Sequence, residues 1–294
     1  MIKLFRITNH TGETIELELT HPEKSGIIIK SVDGLGPVKA DVNVTEVITN
    51  DGGVFNSARI TSRNITMKLL FMETEKESIE DIRQKTYRYF PLKKKISIVI
   101  ENDNRVVKTE GYVESNEPDI WSKTEECNIS IICPDPYLYS TEETETVFSG
   151  IEPAFEFPFT NNSLNERLLE LGLMINQKEQ VINYHGDSDI GVLIAIHAID
   201  FASNITIYNS ATKDLMKLNT ELIAGDTLYI NTRKSHKGIT LLRDGVEINL
   251  LRCLGKGSKW LTISKGDNIF AYTAEKGSSN LQFNIKNQTA YVGV

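Results

Sequence analysis

Five histidines, three cysteines and 40 carboxylates carry most of the reactive chemistry of this 294-residue chain, and their spacing argues against most uses of it. His10, His21, His185, His197 and His236 form no His-x-x-x-His pair, and no Cys-x-x-Cys occurs, so the usual spacing of a zinc site is missing. Cys127 and Cys133 share parity in one strand-like run; at roughly 3.3 Å per residue they stand ~20 Å apart, beyond disulfide reach. With Cys253 they read as packing thiols. "HGDSD" (His185 to Asp189) gathers two carboxylates, too few for a calcium cage, and reads as a solvated turn. "GKGSK" (Gly255 to Lys259) lacks the Gly-Lys-Ser/Thr ending of a phosphate loop and reads as a flexible loop between strands. No Gly-x-Ser-x-Gly elbow marks a serine hydrolase, and no spacing marks the carboxylate pair that a glycosidase needs roughly 5–10 Å apart. The expectation is therefore no catalytic, cofactor-binding or metal-ligating residue, no cofactor and no enzyme.

The elements that position these side chains are strands. "IELEL" (from Ile15), "GIIIKSV" (from Gly26), "VNVTEV" (from Val42), "ITMKLLF" (from Ile65), "ISIVI" (from Ile96) and "CNISIIC" (from Cys127) each alternate apolar and polar residues. "NDGG" and "ENDNR" supply turns, the second joining "ISIVI" to "VVKTEGYVES" as a long hairpin. One segment has helical period: "TEKESIEDIRQKTYRYFP" sets Ile79, Ile82, Thr86, Tyr87 and Phe90 on one face, with Thr74 and Glu77 as a capping box and Pro91 as the stop.

"CPDPYLYSTEETETVFSG" (Cys133 to Gly150) ends this first half. Pro134 and Pro136 cannot donate to a ladder, so the strand ending at Cys133 stops there. The tract of Thr and Glu that follows has little to bury and reads as an exposed connector. The expected domains are residues 1–139, an acidic linker over 140–152, and 153–294. The second half contains strands only, at roughly ten-residue spacing, with Asp244-Gly245 a strong hairpin turn. His197 lies inside the apolar run "IGVLIAIHAI" and reads as a core or interface histidine; Trp260 in "KWLTI" reads as core.

The fold class is therefore mainly β: an N-terminal β-sandwich-like domain with one α-helix and a long β-hairpin, then a C-terminal β-sandwich of jelly-roll type. The formal net charge of −8 disfavours nucleic-acid binding as the main task. The N-terminal run "MIKLFRITNH" reads as a first strand rather than a signal peptide, and no apolar run is long enough for a membrane span, so folding in a cytoplasm without a membrane anchor is expected.

The ordered set "GETIEL", "SVDGLGP", "NDGGVFNSARITSRNITMKL", "IRQKTYRYFP", "GYVES" and "CNISIICPDPYLY" resembles the N-terminal domain of the phage distal tail protein (Dit) family. The stretch from "GVLIAIHAIDF" through "WLTISKGDNIFAY" is similar to that family's C-terminal galectin-like sandwich. The resemblance implies a structural component of a phage or prophage tail tip or baseplate. It implies a hexameric ring that connects the tail tube protein to the tail-associated hub protein, with receptor-binding proteins or cell-wall carbohydrate as further partners. The protein would be made in the bacterial host cytoplasm and reside at the virion tail tip. In that ring the hairpin from Ile96 to Ser115 is expected to supply subunit contacts, through Ile96, Ile98, Ile100, Arg105, Val107 and Tyr112, while also completing its own sheet. The alternative is a carbohydrate-binding adhesion module that touches the host wall directly. Against sugar binding, the second half shows no obvious aromatic platform.

Overall fold

Alternating apolar residues form strands when one face can be buried, and most of the described residues of this chain are in strands. The computed structural model describes residues 1–46, 51–121, 124–153 and 172–294. Two compact units divide it: residues 1–141 with 290–294, and residues 142–289.

The first unit contains β1 (Ile2–Thr8), β2 (Thr14–Glu18), β3 (Ile27–Asp33), β4 (Ala40–Glu46), β5 (Gly53–Ile60), β6 (Arg63–Phe71), α1 (Ile79–Tyr89), β7 (Lys95–Asn102), β8 (Val106–Pro118), β9 (Glu126–Cys133) and the start of β10 (Leu138–Val147). All of its strand pairs are antiparallel, running β2-β1-β7-β8 and β8-β9-β6-β3. β8 belongs to both series: its first half pairs with β7, its second half with β9, and the register shifts between Val113 and Ser115. A bulge of this kind bends a strand and lets one sheet fold over a common core. The core is aliphatic, with Phe5, Ile7, Leu17, Ile65, Met67, Leu69, Ile129 and Ile131 almost fully buried. Each such side chain contributes about 1.5–3 kcal/mol on removal from water.

α1 closes this core. Ile82 and Phe90 are buried against it, whereas Tyr87, expected on the same face, is exposed. The helix starts later than its acidic preamble suggests. Ser78 is the N-cap, its hydroxyl accepting from the Asp81 amide at 3.3 Å while the Asp81 carboxylate accepts from the Ser78 amide at 3.0 Å. Thr74 and Glu77, the expected capping box, instead close a turn before the helix. The Arg83 guanidinium donates to both oxygens of Glu125 at 2.9 Å, tying α1 to the approach to β9.

The second unit contains the rest of β10 and β11 (Ser149–Pro153), β12 (Gly172–Asn176), β13 (Glu179–Tyr184), β14 (Ile190–Gly191), β15 (Leu193–Ala198), β16 (Ala202–Asn209), β17 (Asp214–Leu222), β18 (Thr227–Asn231), β19 (Gly238–Arg243), β20 (Val246–Asn249), β21 (Thr262–Ile263), β22 (Gly266–Lys276) and most of β23 (Leu281–Tyr291). One sheet has the order β13-β22-β16-β17 and the other β23-β15-β18-β19-β20. Their inner faces meet through Tyr272 of β22 and Phe283 of β23, stacked at 4.8 Å, with Phe148 edge-on to Phe283 at 4.8 Å. The Asp244-Gly245 turn is present, both residues having positive φ as a tight hairpin of this type requires. The protein is thus mainly β with one α-helix among the described residues.

The acidic tract departs from expectation. It is not an irregular connector but strand β10. Its carboxylates have basic and amide partners distant in sequence: Glu143 accepts from Arg233 at 2.9 Å, and Glu145 accepts from Asn284 at 2.7 Å and faces Lys286 at 3.2 Å. Paired charges and ladder bonds make a strand from residues that look like a linker in isolation.

Candidate interaction surfaces

β4 and β5 pair only with each other, and every residue of both strands is exposed. Their register sets Ala40 opposite Ile60, Val42 opposite Ala58 and Val44 opposite Phe55. A bulge at Asn56 restores this alignment, since without it Phe55 would fall on the other face. One face of the hairpin is therefore apolar over most of its length, through Ala40, Val42, Val44, Phe55, Ala58 and Ile60, with Glu46 opposite Gly53 at its turn end. The other carries Asp41, Asn43, Thr45, Ser57 and Arg59 together with the exposed Val54, and has an Arg59–Asp41 ion pair at 3.2 Å. Phe55 is 63% exposed. An isolated two-stranded hairpin is marginal in water, and a bare amphipathic one marks a contact surface. Sequence reading found the strand and the "NDGG" turn, but the turn residues up to Asn50 lie outside the described ones. It missed that the hairpin stands apart from the sheet.

The neck of this arm is fixed from within. β3 and β6, which flank it in sequence, pair with each other. Arg63 opens β6 and has the same parity as Ile65, Met67, Leu69 and Phe71, so its side chain points into the core and is fully buried. Its Nε donates to the Pro136 carbonyl at 2.9 Å, Nη1 to the carbonyls of Gly36 at 2.8 Å and Gly34, and Nη2 to the Val292 carbonyl at 2.8 Å. Burial pulls its pKa below the usual guanidinium value, while Cys133 and Asp135 nearby act in the opposite direction. Four carbonyls from three segments thus replace its hydration shell, and the prolines of the Cys133 corner serve to present one of them.

The six residues expected at a subunit contact do not gather on one surface. Ile96, Ile98, Ile100 and Val107 are buried in the core of the first unit. Alternation sends them inward, and the hairpin carrying them is flanked by β1 on one side and by β9 and β10 on the other. Arg105 and Tyr112 remain at the surface; the Arg105 guanidinium lies over the Tyr291 ring at 4.4 Å.

The reactive residues take structural places. Cys127, Cys133 and Cys253 are buried and free. Desolvation raises all three thiols, Cys127 to about 11, so none is a ready nucleophile. "HGDSD" is a turn folded round Tyr184, whose hydroxyl donates to the Ser188 carbonyl at 3.0 Å. "GKGSK" is not a free loop: the Gly255 amide donates to the Lys217 carbonyl and the Lys259 amide to that of Leu215, both at 2.8 Å. Trp260 is half-buried rather than core, with the Lys237 ammonium 5.7 Å from its ring centre. His197 is half-buried, its Nδ1 3.0 Å from the Thr227 hydroxyl. Among the described residues no cluster of three metal-ligating side chains occurs, and no helix is long and apolar enough to cross a membrane.

Residues 185–288 match the family model described as siphovirus-type tail component, C-terminal domain. No curated protein shows significant similarity to the chain. Among solved structures it is similar to the SPP1 Dit (gp 19.1) protein, presented as a paradigm of hub adsorption apparatus in Gram-positive infecting phages. That likeness has a TM-score of 0.68 at 11% identity, over 98% of this chain and 99% of that one. It is also similar to a chain of the phage p2 baseplate in its activated conformation. With strontium bound the TM-score is 0.50 over 97% of both chains, and with calcium 0.51 over 98% of both, each at 16% identity.

Proposed function

We propose that this chain, whose residues 185–288 match the siphovirus-type tail component model and whose fold is similar to that of a distal tail protein, is a non-enzymatic ring component of a phage tail tip or baseplate. The observation that carries the reading is the bare apolar face of the β4–β5 hairpin. In a ring this face lies on a neighbouring copy of the chain. A heterologous ring needs two unlike patches on each subunit, and an arm that reaches out from one subunit supplies the first of them without disturbing either sandwich. Arg105 and Tyr112 are additional contacts at the same assembly. The ring, six-membered in this reading, continues the tail tube protein and seats the tail-associated hub protein, at the tip of a virion assembled in a bacterial cytoplasm. The presence of two compact units supports the domain division of this reading: a ring-forming first domain and a sandwich-forming second.

Light scattering across a concentration series tests it. The assembled ring has a mass of ~200 kDa, against 33.1 kDa for one chain. Charge placed on the apolar face, as in Val44→Asp with Phe55→Asp, reduces the mass to that of one chain while leaving far-ultraviolet circular dichroism unchanged. A wild-type chain that stays monomeric at all concentrations, with or without a tail tube template, overturns the reading.

A further inference from the structure

Trp121 and Phe55 are the two most exposed aromatic side chains among the described residues, at 92% and 63%. Phe55 belongs to the β4–β5 arm; Trp121, next to the exposed Ile120, lies in the connection from β8 to β9. The register of β6 on β9 sets these two features at opposite ends of one sheet. The arm joins β6 at Arg63, opposite Cys133, whereas the Trp121 connection enters β9 at Glu126, opposite Leu70. From Arg63 to Leu70 the strand runs roughly 23 Å. The backbone that carries Trp121 is fixed. The Asp119 amide donates to the Glu126 carbonyl at 2.7 Å, closing the base of the connection. The Trp121 amide donates to the Asp119 carboxylate at 3.1 Å, and the Phe71 amide to the Glu125 carbonyl at 3.0 Å. An indole on a backbone already held costs less entropy to bury in a contact.

We infer that the Ile120–Trp121 projection is the second contact patch of the assembly, seated on the apolar face of the β4–β5 arm of another copy of this chain. The inference rests on the ring reading above and adds where the arm lands. Within one chain neither feature covers the other, since both rings are exposed. The two patches are unlike and lie at opposite ends of the sheet, so each copy offers one and receives one, the polarity of a head-to-tail contact. Two arms packed face to face would leave Trp121 in water. The arm also has the matching shape. Its middle row, Val42 with Ala58, is small and lies between the rows Val44–Phe55 and Ala40–Ile60. An indole over Ala58 fills this notch, with Phe55 on one side and Ile60 on the other. Tryptophans that fill such a notch dominate the energy of a contact. One ring buries about 150–250 Å², well short of the ~800 Å² per partner of a stable pair. A single contact is therefore weak, and closure of the ring is what makes it last.

Light scattering of the full chain over a concentration series, read together with indole fluorescence, tests the inference. Trp121 and Trp260 are the only tryptophans, so Trp260→Phe isolates the signal of Trp121. The expected result is an emission that moves to shorter wavelength as the mass rises. Trp121→Ala raises the concentration at which assembly is half complete by about tenfold or more, with an unchanged thermal midpoint because the side chain is exposed. Ala58→Leu raises it too: the larger side chain fills the notch, although it adds apolar surface to the arm. Trp121→Ala chains keep an intact arm, and chains with Val44→Asp and Phe55→Asp keep an intact Trp121. Mixed at hundreds of micromolar, the two form a pair of ~66 kDa, twice the 33.1 kDa chain, and nothing larger. Assembly of Trp121→Ala at wild-type concentrations, an emission that stays put while the mass rises, or no pair in the mixture overturns the inference and leaves the ring reading standing. A wild-type chain that stays monomeric throughout overturns both.

Discussion

Arg63 Nη1 donates to the Gly36 carbonyl at 2.8 Å, across the neck of the β4–β5 arm. The same guanidinium also holds the Pro136 carbonyl of the Cys133 corner and the Val292 carbonyl near the C-terminus. One buried side chain therefore fixes where the arm leaves the sheet and how two other segments return to it. No carboxylate accepts from it in these bonds, so its charge is compensated by carbonyl dipoles.

Removing the guanidinium should be costly whatever replaces it. In Arg63→Ala four carbonyls lose their donor, and the expected loss is about 3–5 kcal/mol of unfolding free energy in urea. Arg63→Lys should recover less than half, because a single ammonium cannot reach acceptors spread over three segments. A loss below about 1 kcal/mol for the alanine variant would mean that water replaces the guanidinium at little cost.

Gly34, whose carbonyl is another Arg63 acceptor, has φ +84° and packs so closely that an added Cβ would lie 1.9 Å from the Asn64 carbonyl oxygen. Gly245 has nearly the same backbone, φ +78°, with open space around it. Gly245→Ala should cost only the left-handed backbone penalty, about 1 kcal/mol. Gly34→Ala should exceed that by at least ~2 kcal/mol, since backbone must move to accept it. Equal thermal midpoints for the two variants would refute the steric argument.

The difference between these glycines also shows what sequence could reveal. The Asp244-Gly245 turn is local chemistry and was readable, as were the alternating strands and the helix. Arg63 was not, because a strand arginine ordinarily faces water and its acceptors lie 27 to 229 residues away. β10 looked like a linker because Arg233 and Lys286, which pair its glutamates, are about as remote. Ile96, Ile98, Ile100 and Val107 were apolar for the sake of their own core, and pattern alone does not separate a core strand from an interface strand. The arm's apolar face depends on a one-residue bulge at Asn56, which alternation does not show.

Acid should loosen the first unit through Glu13. Hydrogen bonds from Arg88, then Asn9, hold its carboxyl at about 2, well below the ordinary 4.5. A folded-state pKa below the unfolded one contributes stability above pH 4.5 that is lost as pH falls toward about 2. Glu13→Gln cannot titrate. Its thermal midpoint should lie below wild type at pH 7, and the gap should close between pH 4.5 and about 2. A gap that stays constant over that window would assign the effect to shape rather than charge.

In the second unit the sign of the pH dependence should reverse when one partner of a buried pair is removed. Asp226 is 1% exposed; its Oδ1 accepts from Arg243 Nε at 2.8 Å and its Oδ2 from the Ile223 amide at 2.9 Å. The hydrogen bond from Arg243 lowers the Asp226 pKa despite desolvation, so wild type loses this contribution as pH falls. Arg243→Met leaves a buried carboxylate whose only remaining donor among these is an amide, and desolvation then raises its pKa. The expected cost at pH 7 is about 2–4 kcal/mol, shrinking as acid protonates Asp226. Adding Asp226→Asn to that variant should recover part of the loss at pH 7 and remove its pH dependence. Urea unfolding of the wild type, both single variants and the double variant at pH 7 and pH 4.5 measures this cycle. A loss in Arg243→Met that is the same at both pH values would mean that packing of the arginine stem, rather than the stranded charge, carries the interaction.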